Sequence, residues 1–163
     1  MVGAYDFRPF ETVAAIGGGR GYLLRAVLDA APDAAGILFE LPQVVASLGE
    51  PHPRMTAVAG DFFVDPLPAA DAYVLMEVLH DRPDAECLAI LSAIRRAARR
   101  AATVLVVESV VGDERTPAKL AALFARTGFA TRQVISTAGP LRIVEACAVN
   151  PARSVRGGGA ARE

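Results

Sequence analysis

Thr12-Val-Ala-Ala-Ile-Gly-Gly-Gly-Arg-Gly21, followed at once by Tyr22-Leu-Leu-Arg-Ala-Val-Leu28, is the stretch on which the fold turns. A short apolar run ends in glycines. Leu23, Leu24, Val27 and Leu28 then share one face of a helix predicted over residues 22–31. Strand, glycine turn and helix open a βαβ unit, whose parallel strands lie in a sheet flanked by helices. Glycine at such a turn has no Cβ and tolerates positive φ, so the backbone approaches a ligand closely. The spacing is Gly17-x-Gly19-x-Gly21. A dinucleotide fingerprint needs glycine at 22, where Tyr22 stands, and this disfavours NAD or FAD.

Working outward, short apolar runs keep alternating with helical patterns. Ile37–Glu40 predicts a second strand, and Leu41-Pro42 opens a short helix through Val44, Val45 and Leu48. Met55–Ala59 and Ala72–Met76 predict strands three and four. A helix over residues 83–100 turns Leu88, Leu91, Ile94 and Ala98 inward, with Asp81 or Arg82 at its cap. Thr103–Val107 is apolar throughout, as a strand covered on both faces should be. Thr116-Pro117 starts a helix with Leu120, Leu123 and Phe124 inward, closed by Gly128. Phe129–Ile135 and Leu141–Val149, separated by Ala138-Gly139-Pro140, predict an antiparallel pair. The expected class is α/β, with one domain over residues 1–149 and a disordered tail over 150–163.

Composition narrows the function classes. Hydrophobic residues make up 53% and charged residues 21%, which fits a folded globular chain. A formal net charge of −1 gives no support for a nucleic-acid partner. No apolar run approaches membrane-spanning length and no signal sequence opens the chain, so no membrane partner and a cytoplasmic location are expected. Cys87 and Cys147 stand alone, without CxxC spacing or a histidine cluster, so neither a metal nor a disulfide is expected.

The chemistry-bearing residues gather at strand ends. Glu40 closes strand two about 20 residues after the glycine loop, where a carboxylate accepts both hydrogen bonds of a ribose diol. Gly60-Asp61-Phe62-Phe63 follows strand three, offering an acceptor for an amino group and an aromatic face. Parallel strands bring these features to one rim, the edge at which such sheets bind ligands. His80, just past strand four, is suited to act as general base toward a hydroxyl. Glu108 ends strand five on the same rim, and Glu114 begins the next segment. Carboxylates beside a histidine hold its ring and stabilise the imidazolium. His52, between Pro51 and Pro53, reads as a surface residue.

Taken in order, Tyr5-Asp6-Phe7, Gly17-Gly-Gly-Arg-Gly21, Phe39-Glu-Leu-Pro42, Gly60-Asp-Phe-Phe63, Val78-Leu-His-Asp81, Val107-Glu108, Glu114-Arg-Thr116 and Leu141-Arg-Ile-Val-Glu145 resemble a known family. It is the C-terminal domain of the plant caffeic-acid/acetylserotonin type O-methyltransferases and their bacterial polyketide-modifying relatives. The resemblance implies a Rossmann-like class I methyltransferase fold: a seven-stranded, mostly parallel sheet with an antiparallel C-terminal hairpin. It also implies S-adenosylmethionine (SAM) as cofactor and a small-molecule hydroxyl as methyl acceptor. Gly17, Gly18, Gly19, Glu40, Asp61, Phe62 and Met76 would hold SAM, with His80 as base and Glu108 and Glu114 as its acids. The sequence departs from the family at Ala15, where it has an acid, at Met76, where it has lysine, and at Arg82, where it has tryptophan. The family's N-terminal helical domain and a helical stretch after strand five have no counterpart in these 163 residues. An exposed apolar face is therefore expected around Ala4, Tyr5, Phe7 and Phe10, open to a second copy or a partner chain. An impaired, binding-only relative is the alternative function.

Overall fold

The computed structural model describes residues 2–50, 52–109 and 116–149. Five parallel strands come first: β1 (Thr12–Ile16), β2 (Ala35–Glu40), β3 (Met55–Ala59), β4 (Ala72–Met76) and β5 (Thr103–Ser109). The last two, β6 (Phe129–Ser136) and β7 (Leu141–Ala148), form an antiparallel hairpin, and β7 inserts between β5 and β6. The sheet order is β3-β2-β1-β4-β5-β7-β6. Helices α1 (Tyr22–Ala30), α2 (Pro42–Val45), α3 (Asp84–Ala97) and α4 (Pro117–Arg126) join the strands.

Period-two alternation divides the strand residues between two apolar clusters. Ala14, Ile16, Tyr73, Leu75, Val104 and Val106 point to the side that holds Ile90, Leu91 and Ile94 of α3 and Leu120, Leu123 and Phe124 of α4. Val13, Ala15, Val74, Leu105 and Val107 point to the other side, against Leu24, Val27 and Leu28 of α1. Each Val, Leu, Ile or Phe among them contributes about 1.5–3 kcal/mol on full burial, so the central strands are the rigid part of the molecule. That rigidity fixes the rim formed by their carboxyl ends.

Local signals explain most boundaries. Thr116 caps α4, its hydroxyl accepting from the Lys119 amide at 3.3 Å, and Gly128 at φ 80° ends it. Strand β2 begins two residues earlier than expected, because it pairs with its neighbours through Gly36. A Cβ there would stand 2.8 Å from Leu28 Cδ1 of α1. Helix α3 stops at Ala97, short of residue 100, because Arg99 turns back to bond Asp71 at 3.1 Å and the Ala98 backbone becomes extended. Its cap position is taken by Pro83, not by Asp81 or Arg82. Leu88 and Ala98, expected inward, are only half-buried; Cys87, Ile90 and Ala93 join Leu91 and Ile94 inside.

The C-terminal end of α1 is closed by a side chain from another element. Arg54 donates to the carbonyls of Leu28, Ala31 and Ala34, the last two at 2.9 and 2.7 Å. These carbonyls lack helical partners, and a guanidinium matches both their lone pairs and the negative end of the helix dipole. Arg54→Met is expected to cost about 1–3 kcal/mol. Thermal unfolding would register this as a drop of several degrees in Tm for a chain of this size.

The N-terminal segment corrects an expectation. Phe7 is buried, while Ala4, Tyr5 and Phe10 are half-buried against the α1 face of the sheet. The Tyr5 ring meets Phe7 edge-on at 5.0 Å and stacks on Phe10 at 6.3 Å, and its hydroxyl donates to Glu145 at 3.2 Å. Burial and the adjacent Glu145 carboxylate push the Tyr5 phenol well above its usual range. The three rings cover their own sheet, so no exposed apolar face lies there. The expected disordered tail over 150–163 lies outside the described residues.

Candidate functional site

The chain switches direction between β1 and β4, the two strands where the sheet order reverses. Open parallel sheets place ligands outside the carboxyl ends of strands at such a point. Here those ends carry Gly17 after β1, Glu40 at the end of β2, Asp61 after β3, Glu77 to His80 after β4 and Glu108 near the end of β5.

The glycine loop is built for close approach. Gly17 and Gly19 have φ of 65° and 56°, a region that side-chain-bearing residues avoid. At Gly18 a Cβ would lie 2.7 Å from Leu38 Cδ1 and 2.9 Å from Ala15 Cβ, so the packing admits only glycine. Glu40 faces this loop. One of its carboxylate oxygens accepts the Gly19 amide at 3.2 Å, the other the Leu41 amide at 2.6 Å. Each oxygen keeps a lone pair for a further donor.

Two cavities meet at the loop. One, of about 330 Å³, is lined by Gly17, Glu40, Asp61, Phe62, Glu77 and Arg82 among others. Glu40 and Asp61 are acceptors and Phe62 is aromatic, a set that matches the diol, amino group and ring of a purine nucleoside. The Asp61 carboxylate also accepts the Phe63 amide at 2.8 Å, which fixes its orientation. The Arg82 guanidinium lies 5.3 Å from the Phe62 ring centre and 5.5 Å from that of Phe63, held by the Val78 carbonyl and by Glu86, both at 2.9 Å. The other cavity, of about 530 Å³, lies over β1 and β4 and is lined by Ala15, the glycines, Tyr22, Leu23, Val74 and Met76, with Arg20 and Glu77. Among the described residues only Gly17 and Glu77 line both.

His80 and Glu108 form a separate pair on the same rim. Glu108 is 1% exposed; one oxygen accepts the Leu79 amide at 2.9 Å. Its Oε2 has no hydrogen-bond partner among the described residues and stands 3.4 Å from His80 Nδ1. That separation is wide for a hydrogen bond but close enough for a small ring rotation to make one. The imidazole is 46% exposed, with Nδ1 toward the acid and Nε2 away from it. Burial pushes the Glu108 carboxyl above the usual carboxylate range; the Leu79 amide and His80 oppose the rise, and Glu77 adds to it. Neither residue lines the two cavities.

A raised carboxyl pKa has a definite consequence for stability. The group's contribution is complete below its unfolded pKa and is lost as pH rises through its folded one. Glu108→Gln is expected to remove that loss. The Tm of the variant relative to the parent should therefore rise as pH increases through the titration of Glu108, as thermal unfolding at a series of pH values would show.

Gly17, Gly18, Gly19, Glu40, Asp61, Phe62 and Met76 thus converge on one pair of cavities, with Gly18, Gly19 and Met76 in the larger one. His80 and Glu108 converge on each other. Glu114 lies outside the described residues. Glu77 and Arg20 were not anticipated; Glu77 carries a positive φ of 53°, which only the backbone reveals. Among the described residues no cluster of three or more His, Cys, Asp or Glu is placed to hold a metal, and no helix is long and apolar enough to cross a membrane.

A family model described as the O-methyltransferase domain matches residues 1–141. The chain belongs to the O-methyltransferase domain family. This O-methyltransferase domain is 38% identical over 173 residues to a phenazine O-methyltransferase of Lysobacter antibioticus, covering 90% of this chain and 51% of that protein. Human N-acetylserotonin methyltransferase, solved in complex with SAM, superposes with a TM-score of 0.85 at 28% identity, covering 91% of this chain and 50% of that one. An O-methyltransferase from neocarzinostatin biosynthesis, solved with SAM and 2-hydroxy-5-methyl naphthoic acid, gives 0.78 at 34% identity, with 91% and 52% covered. The O-methyltransferase domain therefore spans about half the length of the relatives it matches.

Proposed function

We propose that this chain binds SAM across the glycine rim and transfers its methyl group to a hydroxyl of a small aromatic or polyketide-like molecule. The observation that carries the chemistry is the His80–Glu108 pair: a buried carboxylate oxygen without a hydrogen-bond partner among the described residues, 3.4 Å from the imidazole Nδ1. The nucleoside fit comes from Glu40 for the diol, Asp61 for the amino group and Phe62 for the ring. Relatives solved with SAM, one of them with a hydroxylated naphthoic acid, support the cofactor and the acceptor class.

Bound there, SAM supplies an electrophilic methyl. The residues of this chain manage the proton and the orientation. His80 Nε2 takes the proton from the acceptor hydroxyl, raising the nucleophilicity of its oxygen. Glu108 accepts from Nδ1, keeps the ring in the orientation that leaves Nε2 basic and offsets the charge of the imidazolium. A panel of phenols and hydroxylated polyketides with radiolabelled SAM tests the proposal. Label should appear in an ether product with the parent chain and fall sharply with His80→Ala.

A second reading is a relative that binds SAM or a partner without turnover. The observation in its favour is Arg82, whose guanidinium occupies aromatic surface in the nucleoside cavity. Saturable SAM binding with no transfer to any member of the panel would select it.

A further inference from the structure

Glu77 lies where the two cavities meet, and its backbone is held in a conformation that glutamate rarely adopts. The φ of 53° places it in the left-handed region, where glycine and asparagine are at ease and a longer side chain is strained. Its amide is tied to the Val107 carbonyl at 3.0 Å, so the end of β5 holds the turn. Strain kept at a ligand rim points from the outlier toward a use for the side chain. The carboxylate is what glutamate adds there.

Charge narrows that use. Arg20 and Glu77 are the only charged residues that line the larger cavity among the described residues; the rest are glycine, apolar or tyrosine. A nucleoside seated between Glu40, Asp61 and Phe62 has to send its 5′ substituent past Gly17 and Glu77 to enter that cavity. In SAM the substituent is the methionine half, which carries two cationic centres, the sulfonium and the α-ammonium, and one carboxylate.

We propose that Glu77 is the residue that recognises the cationic side of the methionine half, with Arg20 as its counterpart for the carboxylate. The proposal rests on the SAM reading given above and assigns to Glu77 the discrimination between SAM and uncharged nucleoside thioethers.

Calorimetric titration of the full chain with SAM and with 5′-methylthioadenosine, which has the nucleoside but neither cationic centre, tests the assignment. Glu77→Gln keeps the shape, and Glu77→Asn keeps a residue tolerant of positive φ. Both are expected to weaken SAM by about tenfold, the scale of one charge-assisted contact at an open site, and to leave methylthioadenosine unchanged. Unaltered SAM affinity in both variants, or an equal loss for both ligands, would overturn the role of Glu77 while leaving the cofactor reading intact. Failure of the parent chain to bind SAM would overturn both.

Discussion

His80→Ala is expected to lower methyl transfer by about 10²–10⁴-fold, the range in which a positioned general base contributes. SAM affinity should hardly change, because His80 lines neither cavity. The loss should appear in kcat, and it should shrink for acceptors whose hydroxyl is already ionised at the assay pH, since these need no base. Glu108→Gln should lose less on its own. Combined with His80→Ala it should add little to the loss of rate, because in the proposed role the acid serves the proton transfer through the ring that lies 3.4 Å from it. Rate measurements on the two single variants and the double variant, against a phenol series of graded acidity, check this. Additive losses would mean that Glu108 serves the fold and not the base.

The second large effect belongs to Glu40. Its carboxylate already holds the Gly19 and Leu41 amides, so it meets a ligand pre-oriented and charged. Two charge-assisted hydrogen bonds to a ribose diol are worth about 1.5–3 kcal/mol each. Reorganising the loop offsets part of this, and Glu40→Ala is expected to weaken SAM by roughly 10²-fold. The 2′-deoxy analogue, which keeps only the 3′-hydroxyl contact, should bind the parent chain more weakly than SAM and lose less than SAM does on going to the variant. Equilibrium titrations with both ligands provide the comparison. Equal losses for the two ligands would place Glu40 away from the diol.

Where punctuation is strong, the fold was legible. Strands β1, β3 and β4 end at Ile16, Ala59 and Met76 as the apolar runs foretold, and Thr116-Pro117 with Gly128 bracket α4. Misreadings arose where a distant partner decides. Gly36 lies inside β2 because α1 approaches it, and Arg99 leaves α3 to reach Asp71. The aromatic run at Tyr5, Phe7 and Phe10 has no periodicity to announce a packed segment, yet its rings cover a sheet face and Tyr5 reaches Glu145.

The site divides in the same way. The rim positions of Glu40, Asp61 and Glu108 were readable because strand ends of a parallel sheet share a rim. Glu77 was not, since a glutamate after an apolar strand carries no mark of a positive φ or of a place between two cavities. Arg82 was visible as a departure from the family, but its placement over Phe62 and Phe63 is a three-dimensional fact.

In the proposed function the rim formed by Gly17, Glu40 and Asp61 holds SAM. Isothermal titration of the full chain with SAM measures this directly. Saturable one-to-one binding that Glu40→Ala weakens is the expected result. No heat and no saturation up to high micromolar SAM, with the chain shown to be folded by circular dichroism, would contradict it.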